Sequence, residues 1–590
     1  MQRKKTAFSR FLVWRYMYLS DKNFLYILSV IVGLLAGGST VVLKNLTHFI
    51  AAIVEGGSLD SYHHYFYFIF PFIGLLLVLL VKKYFLREEV SHGIPLALHA
   101  ISQKSGRMNR KDMIGSILTA PLTVGFGGSV GLEGPSVATG ASIGSNFAQL
   151  FHVKVQTRKL LLICAAAASL SAIFKAPIAA ILFAIEVFSL DLTLASLLPL
   201  LLASVSAVIT RIFFIGEQYL VPVSGFQLFE ISNILFYAAL GIVSALISIY
   251  FTKVYFVAQD YFTTVKNDYL KITVAGIVLG ALVFIVPPLY GEGFSFMNNL
   301  VSQNYTIAFH DFLFQEWLSN PWIIIGLLLG LMLLKPIATA TTLGCGGVGG
   351  IFAPSLFLGA ATGSFFVHFF NEFGANLPTA NFTMIGMAGV LAAVLQAPLT
   401  AMFLIAEITG GYELFIPLMI TVSISFLIGK ASMKYTIYTK ELIEKNELIT
   451  HDKDRAVLML LQLERIVEQN FIQLKPEMTL KEMLYGAVVK SKRNLFPVTN
   501  DEDELVGIIT LDDIREIMFN TSLHDSVLVK FLMHDPPDFI DFEEDRMQRV
   551  MDKFQNTGAW NLPVIKNGKY YGFISKSKLL TAYRQELRNY

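Results

Sequence analysis

Cysteine is all but missing: Cys164 and Cys345 are the only two in 590 residues, each inside an apolar stretch, so neither a disulfide framework nor a cysteine metal site is supported. Charge is scarce as well. Asp, Glu, Lys and Arg make up 15% of the chain against 54% hydrophobic residues, and a mean hydropathy of +0.57 excludes a soluble multidomain protein. The chain reads as a multi-pass integral membrane protein. A net charge of +2 without a basic stripe interleaved with aromatics excludes a nucleic-acid binder. There is no Walker motif, nucleophile triad or metal-ligand cluster, which argues against an enzyme and against a metal site.

The few charges are unevenly placed. Of the 90 Asp, Glu, Lys and Arg residues, 45 fall in the last 150 positions, so a domain boundary is expected near Tyr438 to Thr450. The N-terminus carries Arg3, Lys4, Lys5, Arg10 and Arg15 before the first acid, Asp21, and is expected on the cytoplasmic side. The apolar segment after it is too long for a signal-peptide core. Charge-free runs long enough to cross a bilayer occur at Leu25–Leu43, Tyr65–Val81, Leu192–Thr210, Ile231–Thr252, Ile272–Tyr290, Leu318–Leu334 and Leu414–Gly429. Shorter apolar segments broken by Gly and Pro lie between them: Leu160–Phe174, Pro177–Ile185, Ile351–Phe370 and Met384–Leu395. Broken helices at membrane depth occur where they are buried in protein or line a watery cavity, which points to a pathway.

Within the charge-poor part, Gly127 to Ser145 (GGSVGLEGPSVATGASIGS) is a run of glycines and small residues holding one acid, Glu133. Glycine permits sharp turns and close approach to a ligand, and Pro135 suits the first turn of a helix, so a loop feeding exposed N–H groups into a helix start is predicted. Such a start attracts anions. Glu133 is then a tethered anion where a free one could bind, and the two compete. The alternative reading is a helix cap in a membrane bundle.

The pattern recurs. A shift of 219 positions carries Gly128, Gly131, Pro135, Ser136, Gly140, Ala141, Gly144 and Ser145 onto Gly347, Gly350, Pro354, Ser355, Gly359, Ala360, Gly363 and Ser364. A shift of 221 carries LSAIFKAPIAAILFAIE, Leu170 to Glu186, onto LAAVLQAPLTAMFLIAE, Leu391 to Glu407. Duplicated halves with interrupted helices in matching places predict a transporter or channel whose site lies near the midplane between them. Glu133 falls on Phe352, so one half brings a gate and the other an apolar wall. For both helix starts to face one ion, the halves must run inverted. The matched acids Glu186 and Glu407 read as interfacial caps or ion-pair partners, with proton handling as the alternative.

The charged tail is duplicated too. Phe496-Pro497-Val498 matches Leu562-Pro563-Val564, and Gly507-Ile508-Ile509 matches Gly572-Phe573-Ile574, each unit reading helix, short β hairpin, helix. The pair resembles tandem CBS domains, small α/β modules that often bind adenine nucleotides. That resemblance implies that Thr510 and Asp513 hold a nucleotide ribose. The second unit has Ser575 and Lys578 in those places and departs from the pattern; a dimerising or stabilising tail is the alternative.

From about residue 20 to residue 445 the chain resembles the CLC family of chloride channels and chloride/proton antiporters. Ser91-His92-Gly93-Ile94-Pro95 is similar to the family's GSGIP, Gly131-Leu132-Glu133-Gly134-Pro135 to GKEGP or GREGP, Gly350-Ile351-Phe352-Ala353-Pro354 is the GIFAP signature, and Tyr438 stands where the pore tyrosine is expected. The resemblance implies an all-α polytopic membrane protein of two inverted repeats with broken helices, followed by a cytoplasmic α/β tandem CBS domain. It implies a homodimer in the lipid bilayer with one pathway per subunit. Chloride or another small anion would be held without a metal, another cofactor or a full positive charge, by the Ser91 hydroxyl, the Tyr438 phenol and backbone N–H groups around Ile351 and Phe352. Gly93, Ile94, Gly131 and Gly134 complete the implied chloride-binding set, and Glu133 is the implied gate.

Three departures refine the expectation. Val187 occupies the place of the inward-facing glutamate of proton-coupled members, which favours a passive channel over an antiporter using another proton route. His92 replaces a glycine beside Ser91 and is a candidate pH modulator. Leu132 replaces a common basic residue, which predicts weaker anion attraction at a pore mouth. Ser91 favours chloride over nitrate. The expected organisation is a cytoplasmic N-terminal segment 1–20, a transmembrane domain 21–445 with repeats at about 60–215 and 230–440, a linker 446–466, and CBS units 467–525 and 526–590. A CLC-type chloride channel is the favoured function, a chloride/proton antiporter the alternative, and a membrane-anchored nucleotide sensor the competing class.

Overall fold

The computed structural model describes residues 7–55, 67–87, 93–191, 193–217, 229–309, 318, 320–444, 461 and 463–589. They divide into two compact units, Met1–Leu448 and Ile449–Tyr590. In the first, α1 (Ala7–Tyr18), α2 (Asp21–Glu55), α3 (Phe70–Leu80), α4 (Gly93–Ser102), α5 (Arg110–Gly125), α6 (Glu133–Leu150), α7 (Val155–Phe174), α8 (Pro177–Val187) and α9 (Leu194–Ile215) form one half. The other half comprises α10 (Ile234–Thr264), α11 (Asp268–Ile285), α12 (Phe294–Val301), α13 (Tyr305–Ala308), α14 (Pro321–Gly344), α15 (Phe352–Glu372), α16 (Thr379–Leu395), α17 (Pro398–Thr409), α18 (Phe415–Ser432) and α19 (Lys440–Glu444). Among the described residues, eight helices are long and apolar enough to cross a bilayer: α2, α7, α9, α10, α11, α14, α15 and α18. The helices α4, α8, α16 and α17 are apolar but shorter.

Two segments expected to be short are full length. The helix over Leu160–Phe174 begins at Val155 and takes in Arg158 and Lys159, and the one over Ile351–Phe370 runs to Glu372. A charge-free run underestimates a helix whose ends carry charges toward water. Conversely, α11 stops at Ile285, ahead of Pro287 and Pro288, and α3 begins only at Phe70.

The predicted breaks are present and identical in the two halves. After α7 the chain passes through Lys175 at φ 59° and Ala176 at φ −128°, ψ 79°, and Pro177 opens α8. After α16 it passes through Gln396 at φ 53° and Ala397 at φ −129°, ψ 77°, and Pro398 opens α17. The residue before a proline is disfavoured in helical dihedrals, while the proline itself suits the first helical position, so each APxxA run favours a stop and a start.

The halves are joined by reciprocal bonds between equivalent residues. Gly131 N–H donates to Gly350 O at 2.9 Å and Gly350 N–H to Gly131 O at 2.7 Å. Ser129 N–H donates to Thr342 Oγ1 and Val348 N–H to Thr123 Oγ1, again pairs related by the shift of 219. Glu186 accepts from Leu399 and Thr400 N–H at 2.9 and 2.8 Å, and Glu407 accepts from Ile178 and Ala179 N–H at 3.0 and 2.8 Å. Contacts that exchange when the halves exchange require a pseudo-two-fold axis between them. The two repeats are therefore related by such an axis, and the matched acids cap each other's helix starts.

The second unit holds the tail's two modules. In the first, β1 (Leu495–Thr499) and β2 (Leu505–Thr510) form an antiparallel pair with Val498 opposite Gly507. In the second, β4 (Asn561–Lys566) and β5 (Lys569–Ser575) pair with Val564 opposite Gly572, the same register. Each hairpin gains a parallel neighbour the sequence reading did not include: Leu474 beside Val498, and β3 (Ile540–Asp541) beside β4.

Candidate functional site: an acid at paired helix starts

Because α6 and α15 both begin two residues beyond the Gly131–Gly350 pair, their first N–H groups open toward one region and their dipoles add there. Glu133 occupies it. The residue is fully buried, and among the described residues neither carboxylate oxygen has a hydrogen-bond donor. The N–H groups of Glu133 itself and of Ala353 are the backbone donors that face it. A Cβ on Gly131 would stand 1.9 Å from Oε2 and one on Gly350 3.3 Å from it, so two glycines clear the seat. Burying an acid without full partners costs several kcal/mol, as a rough figure, and adds nothing to stability, which fits a side chain that must leave.

The other residues implied by the motifs converge on the same place. Gly93 opens α4 at φ +53°, and a Cβ there would meet Gly134 Cα at 3.1 Å, so glycine is required and the Gly93-Ile94 start lies against α6. Tyr438 is buried, its hydroxyl has no partner among the described residues, and it lies within electrostatic range of Glu133. Ile351 precedes α15 as its N-cap, and the Phe352 ring packs on Phe183 at 5.6 Å and Phe174 at 5.7 Å. The surroundings of the Phe352 side chain are thus aromatic. Ser91 and His92 lie outside the described residues, and with Gly93-Ile94-Pro95 in register on GSGIP it is His92 that falls on the motif's serine and Ser91 on its first glycine, which corrects the assignment made from the motif above.

The sequence reading missed the residues that hold the backbone around Glu133. Ser129 accepts from Lys335 Nζ at 2.7 Å, donates to Leu289 O at 2.7 Å, and its carbonyl accepts from Thr339 Oγ1 at 2.9 Å. Leu132 N–H donates to Glu292 Oε1 at 3.0 Å. Residues 129, 131 and 132 are thus tied to the second half. A signal was available: Glu292 stands between Gly291 and Gly293, and Lys335 precedes Pro336 in an otherwise apolar run. Full charges also lie nearer than expected, since Lys44 is within electrostatic range of both Glu133 and Glu292. Leu132, expected at an open mouth, is buried in the apolar core.

Val187 ends α8 and packs against that core. In the tail, Thr510 and Asp513 form a capping box: Asp513 Oδ2 accepts from Thr510 N–H at 2.6 Å and from its hydroxyl at 2.7 Å. Burial works against the Asp513 charge, but these bonds and the His534 ring at 3.2 Å hold its carboxyl below the usual range.

Mirrored broken helices, a buried acid at their meeting point and an unpartnered phenol beside it define a membrane anion transporter. The profile described as Voltage gated chloride channel matches residues 73–430, and the CBS domain profile matches 463–520 and 529–585. The chain belongs to the CLC family. It is 30% identical over 391 residues to a putative chloride channel protein ClcB-like of Ralstonia nicotianae, an alignment covering 64% of this chain and 85% of that one. It is 30% identical over 311 residues to the H(+)/Cl(−) exchange transporter ClcA of Yersinia pestis, covering 51% of this chain and 61% of that relative's length. Among solved structures, a slow cyanobacterial Cl−/H+ antiporter superposes with a TM-score of 0.61 at 23% identity, covering 73% of this chain and 99% of that one. A eukaryotic CLC transporter superposes at 0.58 and 17% identity, covering 94% and 97%.

Proposed function

We propose that this chain conducts chloride passively, as a channel gated by Glu133. The observation that carries this reading is the state of the acids on the far side of the gate. Val187 offers no proton site, and its neighbour Glu186 is held by the Leu399 and Thr400 N–H groups and by the Thr400 hydroxyl at 2.6 Å. An acid so engaged is a poor relay, because a proton on either oxygen weakens the charge-assisted bond that the oxygen accepts from a helix start. At the gate, partial charges at several helix starts bind a halide without trapping it, and weak binding is what turnover needs. The Glu133 carboxylate fills the anion's place and leaves when protonated or displaced.

In liposomes, an imposed chloride gradient is expected to carry chloride without moving protons uphill, whereas a chloride/proton antiporter would acidify or alkalinise the lumen against the proton gradient. The second reading is that antiporter, favoured by relatives named exchange transporters. Uphill proton movement in the wild-type chain would establish it and end the channel reading.

The working unit in this reading is a homodimer in the lipid bilayer, with the N-terminus and the CBS pair on the cytoplasmic side, as five basic residues before Asp21 suggest. The first CBS unit takes an adenine nucleotide through Thr510 and Asp513. Adding ATP is expected to change chloride flux through the full chain, and Asp513→Ala to remove the response. Flux indifferent to ATP would make the tail scaffolding.

A further inference from the structure

Glu292 lies on the Gly291-Glu292-Gly293 link ahead of α12 and accepts the N–H of Leu132, the residue before the gate. It therefore occupies one of the first N–H groups of α6, beside the seat that Glu133 fills. Glu292 is not free to swing. Lys335 Nζ approaches the Gly291 carbonyl at 3.4 Å, and Gly293, at φ +82°, stands where a Cβ would meet the Phe357 ring at 2.5 Å. One carboxylate is anchored and the other, Glu133, has no hydrogen-bond partner among the described residues, and the two lie within electrostatic range.

The groups facing this pair come from several elements. Lys44 on α2 faces both carboxylates, Lys335 on α14 faces Glu292, Tyr438 faces Glu133, and Arg211 on α9 faces Lys44. Two like charges in a shared low-dielectric pocket repel, so the fixed one bears on where the movable one rests.

We propose that Glu292 is a positioning residue of the gate: a carboxylate anchored on the N–H of Leu132, the residue before Glu133, that bears on where the Glu133 side chain rests and so sets how readily an anion or a proton opens the path. This rests on the gate reading above. Lys44 moderates the repulsion, and Lys335 holds the link in register. The same Gly-flanked acid that looks like a helix cap thus adjusts the closed state.

Glu292→Gln keeps an oxygen for the Leu132 N–H and removes the charge. In liposomes holding the full chain, chloride flux at neutral pH is expected to fall severalfold, and the flux–pH profile to move toward acid by about one pH unit, the usual size of a neighbouring-charge effect. Glu292→Asp, which keeps the charge, is expected to restore the wild-type profile. In a Glu133→Gln background, Glu292→Gln is expected to have no effect on the profile. A Glu292→Gln profile that superimposes on wild type overturns the proposal, and so does an equal shift in the Glu133→Gln background. Should Glu292→Gln fail to fold, Lys44→Met serves instead: removing the moderating cation is expected to move the profile the opposite way, and an unmoved profile overturns the proposal. Glu133→Gln alone distinguishes the premises, since a silent Glu133→Gln sinks the gate reading while an active one with a silent Glu292→Gln sinks only this inference.

Discussion

Glutamine in place of Glu133 is expected to leave chloride flux nearly flat across the acid-to-neutral range and to raise it at neutral pH. The wild-type side chain is an anion when ionised and sits where α6 and α15 present their first N–H groups, so it competes with chloride. Acid neutralises it and should open the path, and a permanent amide removes that control. Each 1.4 kcal/mol by which the carboxylate favours its seat over chloride corresponds to about a tenfold gain in open fraction. The backbone will not compensate, because Ser129, Gly131 and Leu132 are tied to the second half. Chloride efflux from liposomes at a series of pH values is the measurement. Wild-type flux and wild-type pH response in Glu133→Gln would place the gate elsewhere.

Valine at Gly359 is expected to abolish the folded protein, while valine at Gly330 is tolerated. Both glycines lie within long apolar helices, so the change in helix propensity is matched. Their surroundings differ. A Cβ at Gly359 would stand 2.5 Å from both Gly386 O and Met387 Cα, backbone atoms of α16 that can yield only if the helices part. At Gly330 nothing lies within 4 Å. Small residues are what allow membrane helices to approach so closely, and overpacking costs about 1–3 kcal/mol even where side chains can adjust. Gly140 and Gly144 meet Ala165 O and Leu161 O in the same way in the first half. Size-exclusion profiles in detergent are expected to show a monodisperse peak for Gly330→Val and none for Gly359→Val; equal behaviour would refute the packing argument.

Much of this architecture was legible because it is written in local chemistry. The APxxA runs code helix breaks through proline sterics, and both breaks were found with matching dihedrals. The glycine-rich starts announced close packing and an anion-attracting helix end, and Glu133 was conspicuous as a lone acid among glycines. Helix lengths were less legible, since α7 carries Arg158 and Lys159 near its first turn without being interrupted. Glu292 went unnoticed although it too stands between glycines, because its partner Leu132 is 160 positions away. The capping of α17 by Glu186 and of α8 by Glu407 was one of two readings until the bonds were seen.

Composition, the two shifts of about 220 positions and the short motifs by themselves determined a duplicated membrane protein with broken helices, a lone acid at a helix start and a two-module tail. These follow from interactions within a few residues, which leave their mark on neighbouring letters. Only the tertiary structure decided that the halves are related by a pseudo-two-fold axis, that Gly131 pairs with Gly350, and that Lys335 and Glu292 hold the backbone ahead of Glu133. Those are contacts between distant segments, where many acids and lysines would satisfy the local pattern equally and only packing selects the pair that meets.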